Sequence, residues 1–238
     1  MIRLYVEGSP LENQVFSLPK DQSHYIQNVM RLGLGDEILV FNGFQGEWKA
    51  KITANLKKST ELIVLSQTRP QPVERDLWLL FSPLKGKRQE FLEEKATELG
   101  VSRLWPIRCE RTSVSKINLE KMHSHVKEAA EQCGRLTLPQ LNPLCPLSQV
   151  LSDWSATRNL IFGDETLTSL SLKDLTLDPK ASYAFLVGPE GGFTPQEFSL
   201  LRRLPNAQGV TLNANILRAE TAALVGLSYL QLKNEEPS

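Results

Sequence analysis

A chain of 238 residues is long enough for one large domain or two modest ones with real cores. Its 41% hydrophobic and 23% charged residues exclude a disordered chain, and its formal net charge of zero excludes attachment to nucleic acid by bulk electrostatics alone. Positive charge nevertheless gathers in residues 75–140, where 12 Lys and Arg face 9 Asp and Glu, so a local anion-binding face remains open there.

The first residues, MIRLYVEGSP, lack the basic start and continuous apolar core of a secretory signal, and no run of about 18 apolar residues could span a membrane. The expectation is a cytoplasmic protein with no membrane partner. Cys109, Cys133 and Cys145 are widely spaced without a CxxC, and His24, His123 and His125 complete no zinc pattern, so neither a disulfide nor a metal is expected. Cys133 has no identifiable His or Asp partner and is read as a buried thiol.

In chain order, residues 1–70 read as a small β-rich domain. EILVFNG (37–43), GEWKAKITAN (46–55) and TELIVLSQT (60–68) are short β-branched runs broken by Gly and Asn, spaced as strands of a small barrel. One helix interrupts them in DQSHYIQNVMRLGLGD, with Asp21 as its N-cap, Tyr25, Ile26, Val29, Met30 and Leu32 at helical spacing, and Gly33 as its stop. The seam TRPQPVERD (68–76), with two prolines and alternating charges, marks a domain boundary.

From residue 75 to 238 strand and helix alternate. LWLLFSP, RLWPIRC, RNLIFGDE, YAFLVGPEGG and GVTLN read as buried strands. GKRQEFLEEKATELG, LEKMHSHVKEAAEQCGRL, PQEFSLLRRL and RAETAALVGLSYLQLK read as helices, the first with Phe91, Leu92, Lys95, Ala96 and Leu99 along one side. This alternation predicts an α/β domain with a mainly parallel sheet.

Ligands of such sheets bind beyond the carboxyl ends of the strands. Two loops stand there. In LVGPEGGFTP, Gly188, Gly191 and Gly192 permit close backbone approach and Pro189 stiffens the turn, yet the pattern is neither GxxxxGK[ST] nor GxGxxG. In TLNANILRAETAALVG, Arg218, Glu220 and Thr221 cluster at a helix entrance, where Arg218 either ion-pairs with Glu220 or Glu190 or presents its guanidinium to an anionic substrate. Lys85, Lys87, Arg88, Arg108, Arg111 and Arg135 carry the positive charge of the middle region, and Arg111 and Arg135 stand at element ends, where a guanidinium can fork onto phosphate.

KATELGV (95–101), EAAEQCGR (128–135), VGPEGGFTPQE (187–197) and ILRAETA (216–222), in this order, together with HYIQNVMRL (24–32), resemble the ribosomal RNA small subunit methyltransferase E family. The resemblance implies a SPOUT-type α/β domain with a C-terminal trefoil knot, over residues 75–238, preceded by a PUA-like β-barrel RNA-binding domain over residues 1–70. It implies S-adenosyl-L-methionine as methyl donor, N3 of one uridine of 16S rRNA in the small ribosomal subunit as acceptor, and a homodimer. Carried onto this chain, Val187, Gly188, Pro189, Glu190, Gly191 and Gly192 form one wall of the cofactor site, and Leu212, Ile216, Leu217 and Arg218 the other.

Neutral uracil N3 has no free lone pair, so methyl transfer to it requires loss of a proton. Arg218 is the candidate for orienting the substrate and stabilising its charge. Glu190 or Glu220 accepts the proton or braces Arg218. Arg3, Arg31, Lys87, Arg111 and Arg135 are the expected RNA contacts. Two positions depart from the family: Asn213 stands where a glycine is usual, and Lys121 and Met122 where many relatives have arginine and tryptophan. The alternatives are a SPOUT enzyme acting on tRNA or another rRNA site, and a non-catalytic ribosome-assembly factor.

Overall fold

A computed structural model describes residues 1–56 and 59–233. It divides into two compact units: residues 1–73 with 130–138, and residues 74–129 with 139–238.

The first unit is built on β1 (Arg3–Tyr5), β2 (Val15–Ser17), β3 (Glu37–Phe41), β4 (Glu47–Asn55) and β5 (Thr60–Arg69), ordered β1-β3-β4-β5-β2. β1 runs parallel to β3, and the other pairs are antiparallel. Alternation along these strands sends Ile38, Val40, Ala50, Ile52, Leu62 and Val64 into one core with Leu4, Leu18 and Ile26. The expected small β domain is present as this five-stranded sheet.

Its helix differs from expectation at both ends. α1 (Lys20–His24) is preceded by Pro19 as N-cap, so Asp21 lies inside the first turn and does not cap it. The helix then widens over Tyr25–Val29, where Met30 N donates to Tyr25 O at 2.9 Å, and it ends with Arg31 at φ +55°, before Gly33.

Residues 130–138 lie in the first unit although they follow the second domain's strands in sequence, because local groups hold them there. Arg3 Nη1 donates to Ala130 O at 2.8 Å and Glu131 O at 3.1 Å, and its Nη2 donates to Arg135 O at 3.0 Å. Ala130 and Leu136 pack with Phe41. Cys133, expected to be buried, is exposed.

The second unit contains β6 (Leu77–Phe81), α2 (Lys87–Glu98), β7 (Arg103–Arg108), α3 (Leu119–Cys133, whose last turn belongs to the first unit), β8 (Gln140–Leu141) and β9 (Cys145–Pro146). It continues with α4 (Leu147–Ser152), β10 (Arg158–Gly163), β11 (Leu170–Ser171), β12 (Ser182–Val187), α5 (Pro195–Arg203), β13 (Ala207–Thr211) and α6 (Ala219–Lys233). The sheet order is β11-β13-β10-β12-β6-β7-β8, with β9 also on β7, and every pair is parallel. Two apolar clusters, one with α2 and α6 and one with α4 and α5, cover the central strands, which explains their near-continuous hydrophobic sequences.

α6 packs on β12, β6 and α2. At Gly226 an added Cβ would collide with the Phe185 ring, so a glycine there lets helix and strand approach at backbone distance. α2 buries Leu92, Glu93, Ala96 and Thr97, whereas Phe91 is exposed, so its inner face is rotated from the one the apolar spacing suggested. Glu93 is accepted into that face because Gln89 Nε2 donates to it at 2.5 Å and His125 Nδ1 meets it at 2.5 Å.

Candidate active site

Three neighbouring parallel strands, β13, β10 and β12, end side by side, and the loops leaving them enclose a cavity of about 1270 Å³. Residues 163–167 end and follow β10, 187–193 end and follow β12, and 212, 213 and 215–219 follow β13. Arg88 from α2, Arg111 from the segment after β7, and Arg202 and Arg203 of α5 complete the lining. All ten residues expected on the cofactor walls, Val187 to Gly192 and Leu212, Ile216, Leu217 and Arg218, line this one cavity.

The turn after β12 is closed by Gly192 N donating to Pro189 O at 2.9 Å. Gly192 has φ +70°, where side-chain-bearing residues are strained, and the Glu165 carboxylate lies where its side chain would start, so glycine is favoured there. The turn passes directly into α5 through a capping box: Glu197 N donates to Thr194 Oγ1 at 3.3 Å, and Thr194 N donates to Glu197 Oε2 at 2.8 Å, with Pro195 as the first helical residue. Phe193 is buried among Phe162 and Phe198, which anchors the turn to the core.

The loop after β13 is more open. Ile216 is 73% exposed, and Asn213 Oδ1 accepts from Ala214 N at 2.9 Å. Left-handed non-glycine residues among the described ones are Asn13, Arg31 and Leu167, so Asn213 does not need the backbone freedom of a glycine.

Charge is arranged in two corners. In one, Arg88 Nε donates to Glu220 Oε1 at 2.9 Å and Nη2 to Oε2 at 2.5 Å, while Nη1 bonds Glu190. Burial opposes the charge of Glu220, but the Arg88 hydrogen bonds outweigh it and lower its pKa; the same bonds raise that of Arg88. The expected pairing of Arg218 with these carboxylates is thus taken by Arg88. The guanidinium of exposed Arg218 has no hydrogen-bond or ion-pair partner among the described residues.

In the other corner, Arg111 Nη1 donates to Gly191 O at 2.7 Å and Glu165 Oε1 accepts from Phe193 N at 2.9 Å. Burial, reinforced by neighbouring Asp164, raises the pKa of Glu165 against the Phe193 N–H and Arg111. Asp164 is buried too, yet Ser169 Oγ at 2.5 Å, Thr166 Oγ1 at 2.6 Å and Thr166 N at 2.9 Å lower its pKa. The sequence reading missed Asp164, Glu165 and the bridging role of Arg88; the available signal was an acidic pair at the carboxyl end of a buried strand.

The expected RNA contacts divide. Lys87 and Arg111 are exposed on the second unit, and Arg31 is exposed on the first. Arg135 is half-buried, with Nε donating to Thr137 Oγ1 at 3.1 Å. Arg3 is withdrawn from solvent: its Nε lies 2.7 Å from Glu47 Oε2, its Nη atoms serve three carbonyls, and it stacks 4.7 Å from the Phe41 ring centroid. Four of its five N–H donors are committed inside the unit, which makes it a brace of that unit rather than an exposed cation. Among the described residues no group of three His, Cys, Asp or Glu could hold a metal, and no helix is long and apolar enough to cross a membrane.

Residues 70–231 match the model of an RNA methyltransferase domain, and residues 18–65 that of an RNA methyltransferase PUA domain. Ribosomal RNA small subunit methyltransferase E of Rickettsia conorii is 29% identical over 97% of this chain and 95% of its own length. The protein of the same name from Synechocystis is 30% identical over 96% of this chain and 76% of its own. The crystal structure of ribosomal RNA small subunit methyltransferase E from Neisseria gonorrhoeae bound to S-adenosyl methionine is 29% identical, covers 98% of this chain and 97% of its own, and superimposes with a TM-score of 0.88.

Proposed function

The chain belongs to the RNA methyltransferase family, and from that membership and the cavity above we propose that it methylates N3 of a uridine in the rRNA of the small ribosomal subunit, using S-adenosyl-L-methionine. The observation that carries the reading is the convergence of ten residues from two separate sequence motifs on a single strand-end cavity.

The residues fit that methyl donor. The 188–192 turn offers backbone groups rather than a lysine-bearing loop, which suits neutral adenosine and amino-acid ends better than a triphosphate. Val187, Leu212 and Leu217 give apolar wall, and the volume accommodates a ligand of this size. When bound, S-adenosyl-L-methionine supplies an electrophilic methyl group on a sulfonium.

The remaining work falls to the side chains. Arg218, unpaired at the cavity, orients the uracil and stabilises negative charge developing on it. Glu190 and Glu220 fix Arg88 and hold the turn after β12 and the first turn of α6 against α2. Lys87 and Arg111 on the second unit, and Arg31 and Arg135 on the first, contact phosphates, which set register on the RNA and leave specificity to the exposed base. The working form is a cytoplasmic homodimer with the C-terminal chain knotted, as the resemblance implies.

The test is methyl transfer from labelled S-adenosyl-L-methionine to unmodified small subunits, with naked rRNA and bulk tRNA in parallel, followed by mass spectrometry of the nucleosides. The expected result is 3-methyluridine in the subunit sample. Label in tRNA instead would overturn the substrate assignment.

A further inference from the structure

We propose that Glu165 is the residue that accepts the proton from uracil N3, an assignment that rests on the uridine methylation proposed above. Glu165 is the second of two acidic residues at the carboxyl end of β10, and it lines the cavity. Its Oε1 takes the Phe193 N–H at 2.9 Å and closes the space over Gly192. The carboxyl group is therefore fixed to the backbone of the cofactor turn. No side chain hydrogen-bonds or ion-pairs with it among the described residues.

The other carboxylates of the site are already engaged. Glu190 and both oxygens of Glu220 are bound by Arg88. Asp164 takes Thr166 and Ser169. Glu197, buried in its capping box, also accepts from Glu110 N at 2.9 Å. For Glu220 and Asp164 these donors outweigh burial and lower the proton affinity, which makes both poor bases, while Glu190 is paired with Arg88 and Glu197 is tied into its capping box.

Glu165 is in the opposite condition. Burial, with a smaller contribution from Asp164, raises its proton affinity, its own backbone N–H, the Phe193 N–H and Arg111 moderate it, and its charge in turn contributes to the raised pKa of the buried Cys109 thiol. A raised carboxylate pKa brings the group nearer the acidity of the proton it must remove. Arg111 beside it also places a phosphate-binding cation next to the base.

In the transfer, the N3–H bond breaks with its electron pair left on N3 and its proton on the Glu165 carboxylate. N3 forms the bond to the methyl carbon. The methyl–sulfur bond breaks with its pair on sulfur, so the sulfonium becomes a neutral thioether. The proton then leaves Glu165 for water.

The test uses Glu165→Gln, which keeps an acceptor for the Phe193 N–H, on small subunits reconstituted with either normal rRNA or rRNA transcribed with 5-fluorouridine, whose N3 is more acidic. The variant should bind S-adenosyl-L-methionine with wild-type affinity by calorimetry and melt at the wild-type temperature. Its turnover on uridine should fall about 100-fold or more, the acidic limb of the pH–rate profile should vanish, and on 5-fluorouridine the deficit should shrink to within a few fold. Near-normal turnover, an equal deficit on both substrates, or a defect confined to cofactor binding would each overturn the assignment. A wild-type product other than 3-methyluridine would overturn the N3 reading and the assignment together.

Discussion

Arg88 and Glu220, 132 positions apart in sequence, meet through two parallel hydrogen bonds of 2.9 and 2.5 Å, and the third arm of the same guanidinium bonds Glu190. One side chain on α2 therefore ties the turn after β12 to the first turn of α6, which follows the other wall of the cavity. A planar fork is needed for this, and an ammonium cannot reproduce it.

Arg88→Ala is expected to weaken S-adenosyl-L-methionine binding about tenfold, or roughly 1.4 kcal/mol, with Arg88→Lys recovering only part of the loss. Isothermal calorimetry on both variants checks this. Wild-type affinity in Arg88→Ala would show that the walls hold their places without the bridge.

Arg218→Ala should retain the fold and most cofactor affinity while kcat falls on the order of 10²–10³-fold, as when one preorganised electrostatic contact to developing charge is lost. Single-turnover methyl transfer beside a binding isotherm separates the two effects. Near-normal turnover would remove Arg218 from the chemistry.

Gly192→Ala forces a side chain into a left-handed backbone, costing roughly 1–2 kcal/mol, and drives it against the Glu165 carboxylate. The expected outcome is a large loss of cofactor affinity with a smaller loss of melting temperature, because the damage is confined to the turn. Equal losses in both would place the strain in the core instead.

Glu47 gives the first unit an acid-sensitive point. Burial alone would raise its pKa, but hydrogen bonds from Arg69, Arg3 and Thr68 outweigh that and hold it at about 2, against an ordinary 4.5. Because the folded value is the lower one, the stabilisation is complete above about pH 4.5 and is lost as pH falls towards 2. It amounts to on the order of 3 kcal/mol. Denaturant melts of wild type and Glu47→Gln between pH 2 and 7 should converge at the acid end and diverge above pH 5.

The sequence was most legible where a local pattern determines local structure. Parallel strands buried on both faces appear as apolar runs such as LWLLF and YAFLV, and the glycines after YAFLV mark a loop that must admit something close, whereas the assignment of Val187–Gly192 and of Leu212, Ile216, Leu217 and Arg218 as two facing walls rested on the family resemblance. Side-chain partners distant in sequence were not. Arg3 looks like an N-terminal surface charge until Glu47 and the carbonyls of residues 130, 131 and 135 are brought around it. Arg88 reads as one more cation in a basic stretch until the fold delivers two carboxylates to it. The acidic pair Asp164–Glu165 is uniform in sequence, and only its surroundings separate a saturated structural carboxylate from an available one.

The membership of residues 130–138 in the first unit has a consequence for synthesis. A chain made from its N-terminus has the five strands of that unit available after residue 69, but the Ala130 and Leu136 side chains that pack on Phe41, and the carbonyls that satisfy Arg3, emerge only some sixty residues later. Until then a buried-type cation and an aromatic face lack their covers. The nascent N-terminal part must wait, incompletely sealed, for a segment that is translated after α2 and β7, so a fragment cut at the 68–76 seam is expected to be less stable than the same residues in the whole chain.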